Sequence, residues 1–187
     1  MRSAAEPDPE RFDPHRVAPV GCAKHARLYL VGEAPGEAEA AAGRPFVGPA
    51  GQALHKMMRA AGIDRAQVRL CNAIPYRPLA PGKAGAPRNR APTRTEIDRF
   101  SACLLHDLER SEPRAILALG KSAMAAFGIR CPIEEARGRA FAHAGVPLFV
   151  TYRPQYVAYR GGEGGAVWRA MVHDLAQAGR AGSRQVQ

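Results

Sequence analysis

The chain has 187 residues, enough for one compact domain with a sizeable core. Its apolar fraction of 46% is ordinary for a globular protein, and no window approaches the roughly 18 apolar residues of a membrane span, which excludes a membrane-spanning helix. The net charge of +10 attracts polyanions, so nucleic acid stands among the expected partners; with no apolar span, no membrane partner is expected. The charged start lacks the apolar stretch of a signal peptide. Four scattered cysteines, Cys22, Cys71, Cys103 and Cys131, form no CxxC pair, so reduced thiols in a cytoplasmic protein are the simplest expectation.

Residues 1–20 are rich in Pro, Asp, Glu and Arg without hydrophobic periodicity and read as a loose leader. The domain proper is expected over 21–178, with a frayed tail over 179–187. Leu28–Val31 is a short apolar run that ends in a Gly/Pro turn, as a buried parallel strand does. Ala53, Leu54, Met57, Met58 and Ala61 recur at helical spacing over Ala50–Ala61, with Gly62 as the stop. Val68–Asn72 reads as a second strand, and the proline-rich Pro75–Pro92 as loop. Thr95 opens a helix whose apolar stripe is Ile97, Phe100, Leu104, Leu105 and Leu108. Ala115–Leu119 is a third strand, followed by a helix over Ser122–Phe127. Leu148–Thr151 is a fourth strand, and an amphipathic helix over Val167–Ala178 closes the domain. This alternation predicts a single α/β domain: a four-stranded parallel sheet with helices on both faces. Ligands of such sheets bind beyond the carboxyl ends of the strands, and the distinctive residues here all follow strands.

After the first strand come Gly32-Glu33-Ala34-Pro35-Gly36-Glu37 and then Gly43-Arg44-Pro45-Phe46-Val47-Gly48-Pro49-Ala50-Gly51. The glycines permit close backbone approach to a ligand, and Glu33 is a carboxylate in a rigid turn at the mouth of the sheet. Phe46 lies outside any periodic core pattern and can stack on a planar base or pack into the core. Asn72 offers an acceptor and two donor hydrogens, which match the O4 and N3–H edge of uracil; turn formation is its other common use. Between Arg77 and Arg94 lie five cations (Arg77, Lys83, Arg88, Arg90, Arg94) and no carboxylate. That run is either a phosphate-binding loop or a solvated charge run. His55, His106, His143 and His173 fall at ordinary surface or core-edge positions, and no spacing suggests a metal.

The run Gly32–Gly51, with Asn72 after the next strand, resembles the uracil-DNA glycosylase superfamily, in particular its bacterial and archaeal iron–sulphur branch and its relatives. The likeness continues through Arg90-Ala91-Pro92-Thr93, the helix containing Cys103, Glu112-Pro113, Leu119-Gly120 and Thr151–Tyr156, and covers about residues 27–175. It implies a monofunctional glycosylase that flips uracil out of DNA and hydrolyses its glycosidic bond. By position, Gly32, Glu33, Ala34, Pro35 and Gly36 form the loop at the deoxyribose, with Glu33 polarising water. Phe46 stacks on the base, Asn72 reads its edge, and Arg153, Pro154 and Gln155 belong to the second catalytic loop. Lys83, Arg88 and Arg90 are the implied phosphate contacts, and Pro154 belongs with them at the DNA.

Three departures qualify the resemblance. The cluster-bearing relatives begin with a CxxC; here Cys22 stands alone, Tyr76 occupies the position before Arg77-Pro78 where a cysteine is expected, and Cys103 alone matches, so no iron–sulphur cluster and no other cofactor is expected. The second catalytic loop usually opens His-Pro; here Arg153 takes the place of the histidine, either donating to the departing base or gripping the DNA backbone. Leu79–Asn89 is an insertion that contains no histidine, so covalent trapping of the sugar, known in a related uracil-binding branch, is not expected. Beside the glycosylase stand a uracil-DNA binding module without catalysis and, more remotely, a small-nucleotide-binding α/β protein. Uracil-containing DNA is the expected partner; nothing in the sequence suggests an oligomer, and a monomer is expected.

Overall fold

The computed structural model describes residues 7–82 and 86–183. In chain order its strands are β1 (Val20–Gly21), β2 (Leu28–Gly32), β3 (Val68–Asn72), β4 (Leu79–Ala80), β5 (Arg88–Asn89), β6 (Ile116–Leu119), β7 (Phe141–His143) and β8 (Val146–Thr151). Six form one sheet in the order β1-β3-β2-β6-β8-β7, and β4 and β5 pair as a separate ribbon. The four expected strands are its parallel centre, β3-β2-β6-β8. The expected count is corrected to six, because β1 and β7 add antiparallel edges. These edges are two and three residues long, too short for any periodicity to register. β7 turns into β8 through Ala144 (φ +47°) and Gly145 (φ +81°), the double positive φ of a tight hairpin.

The helices are α1 (Glu37–Ala42), α2 (Pro49–Ala60), α3 (Arg94–Ser111), α4 (Lys121–Ala126), α5 (Ile133–Ala136), α6 (Pro154–Tyr159) and α7 (Ala166–Ser183). α3 starts in a reciprocal cap: the Glu96 amide donates to Thr93 Oγ1 (3.3 Å) and the Thr93 amide donates to Glu96 Oε2 (2.8 Å). Alternation along the strands sends Leu28, Leu30, Leu70, Leu117 and Phe149 to one face, against Leu54 and Met57 of α2 and Met171 and Leu175 of α7. Tyr29, Val31, Ile116, Ala118 and Val150 face the other way, onto Leu104 and Leu108 of α3, Met124 of α4 and Ile133 of α5. Burial of each such large side chain stabilises by about 1.5–3 kcal/mol. Helices thus cover both faces of the sheet.

Two end segments differ from expectation. Among the residues read as a leader, Phe12 and Val17 are buried, and the backbone runs beside the proline-rich loop: the Val17 amide donates to the Pro75 carbonyl (2.8 Å) and the Leu79 amide to that of Arg11 (2.8 Å). Isolated apolar residues in an irregular segment leave no periodic trace. At the other end α7 continues to Ser183, and Gly182 lies against the Arg27 carbonyl so closely that a Cβ would sit 1.8 Å from it. Among the described residues no helix is long and apolar enough to cross a membrane.

Candidate active site

Within the parallel centre the chain lays down β2, moves outward to β3, then crosses back to β6 and β8. The direction of travel therefore switches between β2 and β6, where a crevice opens at the carboxyl ends of the strands. Four strand ends converge there: Asn72 of β3, Gly32 of β2 with Glu33 just beyond it, Gly120 and Ser122 beyond β6, and Arg153 beyond β8.

A small cavity of about 80 Å³ occupies the crevice. Of the residues expected at the substrate, Gly32, Glu33, Ala34, Gly36, Phe46, Asn72, Arg153, Pro154 and Gln155 line it, whereas Pro35 is buried and does not. The volume is far below the about 300–1,000 Å³ of a pocket for a drug-sized ligand. A site that takes one planar group from a longer chain has that scale. Larger hollows exist, such as one of about 360 Å³ at Arg27, Gln67 and Arg114. That one lies at the amino ends of β2, β3 and β6, away from the distinctive residues.

Local backbone geometry shapes the cavity. Phe46 adopts φ +58°, uncommon for a bulky residue, and its ring is largely buried. Gly51 makes room for that kink, since a Cβ there would lie 1.9 Å from the Phe46 carbonyl oxygen. A Cβ on Gly32 would lie 2.4 Å from Asn72 Oδ1 and 2.6 Å from Phe46 Cζ, so the absence of a side chain at 32 sets the distance between ring and amide. Glu39 staples the two loops together by accepting from the Gly36 amide (3.1 Å) and the Gly48 amide (2.7 Å). Sequence reasoning passed over Glu39, although its place three residues after the helix-capping Gly36 is a capping-box spacing.

Opposite these groups, both oxygens of Glu33 are engaged. Ser122 Oγ donates to Oε2 (2.5 Å), and Arg153 Nη2 lies 3.0 Å from Oε1 while donating to Gln155 Oε1 (2.6 Å). Gly120 (φ +91°) leaves the groove in which Arg153 lies; a Cβ there would be 2.2 Å from Arg153 Cγ. The strand leading to Arg153 is anchored from behind. Buried Asp174 of α7 accepts from Thr151 Oγ1 (2.6 Å) and from Arg137 Nε (2.8 Å), and the Arg137 guanidinium lies over the Tyr152 ring (4.4 Å to its centre). An aromatic plane, an amide edge, a carboxylate and a guanidinium thus surround one cavity.

The profile of the Uracil DNA glycosylase superfamily matches residues 18–176. The chain belongs to that superfamily. It is 37% identical over 134 residues to the Type-4 uracil-DNA glycosylase of Thermotoga maritima, an alignment covering 70% of this chain and 66% of that protein. It is 36% identical over 139 residues to the Type-4 uracil-DNA glycosylase of Pyrobaculum aerophilum (70% and 67% covered). With that of Archaeoglobus fulgidus it shares 38% identity over 98 residues (52% and 45% covered). The chain spans about two thirds of the length of the first of these relatives.

Against the iron–sulphur branch of the superfamily, the position of the missing cysteine is filled. Tyr76 is buried, with its ring 5.5 Å from that of Phe100, which in turn meets Phe12 edge-on at 5.4 Å. Ile74 and Ile97 complete this apolar cluster. Cys103 is partly exposed on α3, and Cys71 is buried within the layer between the sheet and α3, where burial pushes its thiol up to about 12. No group of three or more potential metal ligands occurs among the described residues. The four cysteines, Cys22, Cys71, Cys103 and Cys131, thus do not stand together as the ligand set of a four-thiolate cluster.

The expected DNA contacts divide. Arg88 is exposed on β5, and Lys83 lies outside the described residues. Arg90 is committed inside the protein: its guanidinium donates to both Glu96 oxygens (2.7 and 2.8 Å), with Arg11 as a second partner of Glu96 (2.7 Å). Pro154 is buried as the first residue of α6, where its fixed φ and missing N–H suit a helix start. Arg77, another of the five cations, is buried between Asn89 and Glu37 (2.6 and 3.0 Å) and ties the ribbon to α1.

Proposed function

We propose that this chain is a monofunctional DNA glycosylase that hydrolyses the glycosidic bond of uracil flipped out of DNA, the entry step of base excision repair. The observation that carries the reading is the meeting of Phe46, Asn72, Glu33 and Arg153 around one base-sized cavity in a chain of this superfamily. Phe46 stacks on the flipped base, and Asn72 pairs with its O4 and N3–H edge. Glu33 polarises a water whose oxygen adds to C1′ as the bond to the base breaks. The bonding pair leaves with uracil as an anion, and the water proton passes to Glu33. Arg153 donates to the base oxygen where that charge gathers; its five N–H donors let it do so while it still faces Glu33.

DNA fits the rest of the surface. Arg88 projects from the ribbon, and Tyr156 and Tyr159 are exposed on α6 beside the cavity, offering planes for neighbouring bases. The chemistry of these residues needs no cluster or other cofactor, and the reading is of a monomer. Free cysteines accord with a reducing compartment, the cytoplasm. One observation favours a second reading, a uracil-DNA binding module: the Arg153–Glu33 ion pair occupies both catalytic groups. Incubation with a labelled uracil-containing oligonucleotide, followed by alkali, separates the two. Strand cleavage at uracil that Glu33→Ala abolishes supports the glycosylase. Intact DNA with a uracil-dependent gel shift supports the binding module.

A further inference from the structure

We propose that Ser122 is a positioning residue for Glu33: its hydroxyl fixes the carboxylate so that Oε1 faces the cavity. The inference rests on the glycosylase reading of Glu33 and assigns a role to a side chain with no place in the motifs. Glu33 follows β2 and Ser122 follows β6, so the 2.5 Å hydrogen bond from Ser122 Oγ to Glu33 Oε2 spans the switch point of the sheet. The two partners of the carboxylate differ in kind. Arg153 reaches Oε1 from a side chain that is 41% exposed and must also serve the base, whereas Ser122 is half-buried at the start of α4. When the guanidinium shifts its donors toward a bound base, Ser122 is the partner that remains.

Glu33 itself is 13% exposed and stands in a turn just beyond Gly32. Without the hydroxyl, Oε2 loses its donor and the carboxylate is free to rotate toward Arg153 with both oxygens. That bidentate arrangement is the preferred geometry of an Arg–carboxylate pair, and it would turn Oε1 away from the water. Ser122 therefore acts against a competing geometry as well as for the productive one.

The test uses the full chain with Ser122→Ala and Ser122→Thr, Glu33→Ala as the reference, and a uracil-containing oligonucleotide under steady-state and single-turnover conditions. Loss of a hydrogen bond to a charged group converts to a fall in kcat of about ten- to a hundred-fold for Ser122→Ala. KM, binding of uracil-containing DNA and Tm should stay at wild-type values, and Ser122→Thr, which keeps the hydroxyl, should restore most of the rate. Wild-type kcat in Ser122→Ala beside an inactive Glu33→Ala overturns the inference and leaves the glycosylase reading intact. So does a loss that threonine does not rescue, or one that appears in KM alone. An inactive wild-type protein, or full activity in Glu33→Ala, overturns the reading of Glu33 and this inference with it.

Discussion

Replacement of Arg153 by alanine separates a catalytic guanidinium from a merely structural one, because the two roles differ in scale. In the structure Arg153 is 41% exposed and pairs with Glu33 at 3.0 Å. A half-exposed ion pair is worth about 0.2–1 kcal/mol in stability, or a shift of no more than about 4 °C in Tm for a domain of this size. A donor aimed at charge developing on the departing base is worth about 2.7–4 kcal/mol in the transition state, about a hundred- to a thousand-fold in kcat. Arg153→Ala should therefore lose about two to three orders of magnitude in rate while remaining folded. Arg153→Lys should fall between, since it keeps the charge but not the planar fork that can serve Glu33 and the base together. The assay is single-turnover cleavage of a 5′-labelled uracil oligonucleotide with enzyme in excess, with a thermal melt of each variant. A wild-type rate in Arg153→Ala refutes the catalytic assignment. A faster rate would show instead that the ion pair holds Glu33 back.

Gly32→Ala places a methyl against Asn72 Oδ1 and Phe46 Cζ, both far ends of side chains that can yield; the fold should survive while misplacement of both base contacts lowers kcat/KM by about a hundred-fold, measured in the same assay. Glu96 is buried, and although burial opposes its ionisation, hydrogen bonds from Arg90 and the Thr93 amide hold its pKa at about 2. Because that value lies below the ordinary 4.5, Glu96 stabilises the fold above pH 4.5 and loses this contribution as pH falls toward 2. Urea titrations should show Glu96→Gln less stable at pH 7 by about 3 kcal/mol, a gap that narrows below pH 4.5; a constant gap would refute the linkage. Arg88→Ala should reduce the slope of log affinity against log salt by about one, whereas Arg90→Ala should leave that slope unchanged and lower Tm.

The four parallel strands and the three long helices were legible in the chain because each carries a pattern: a mainly apolar run for a strand buried on both faces, and a 3.6-residue stripe for α2, α3 and α7. The residues of the cavity were legible for a different reason. Gly32–Gly36, Phe46 and Asn72 follow strands in a linear order that resembles a known family, so their type and place could be read without coordinates. What escaped was everything made by contact between distant segments. The burial of Phe12 depends on Tyr76 and Phe100, the edge strands β1 and β7 exist through partners already in the sheet, and Arg90 left the set of free cations because Glu96 reaches it. Ser122 belongs to the same class: nothing in its local pattern marks it, and it meets Glu33 because β2 and β6 are neighbours in the sheet though 89 residues separate the two side chains. Periodicity and motif are properties of adjacent residues and survive in a linear string. A hydrogen bond between loops is a property of the distance between them, which strand order sets.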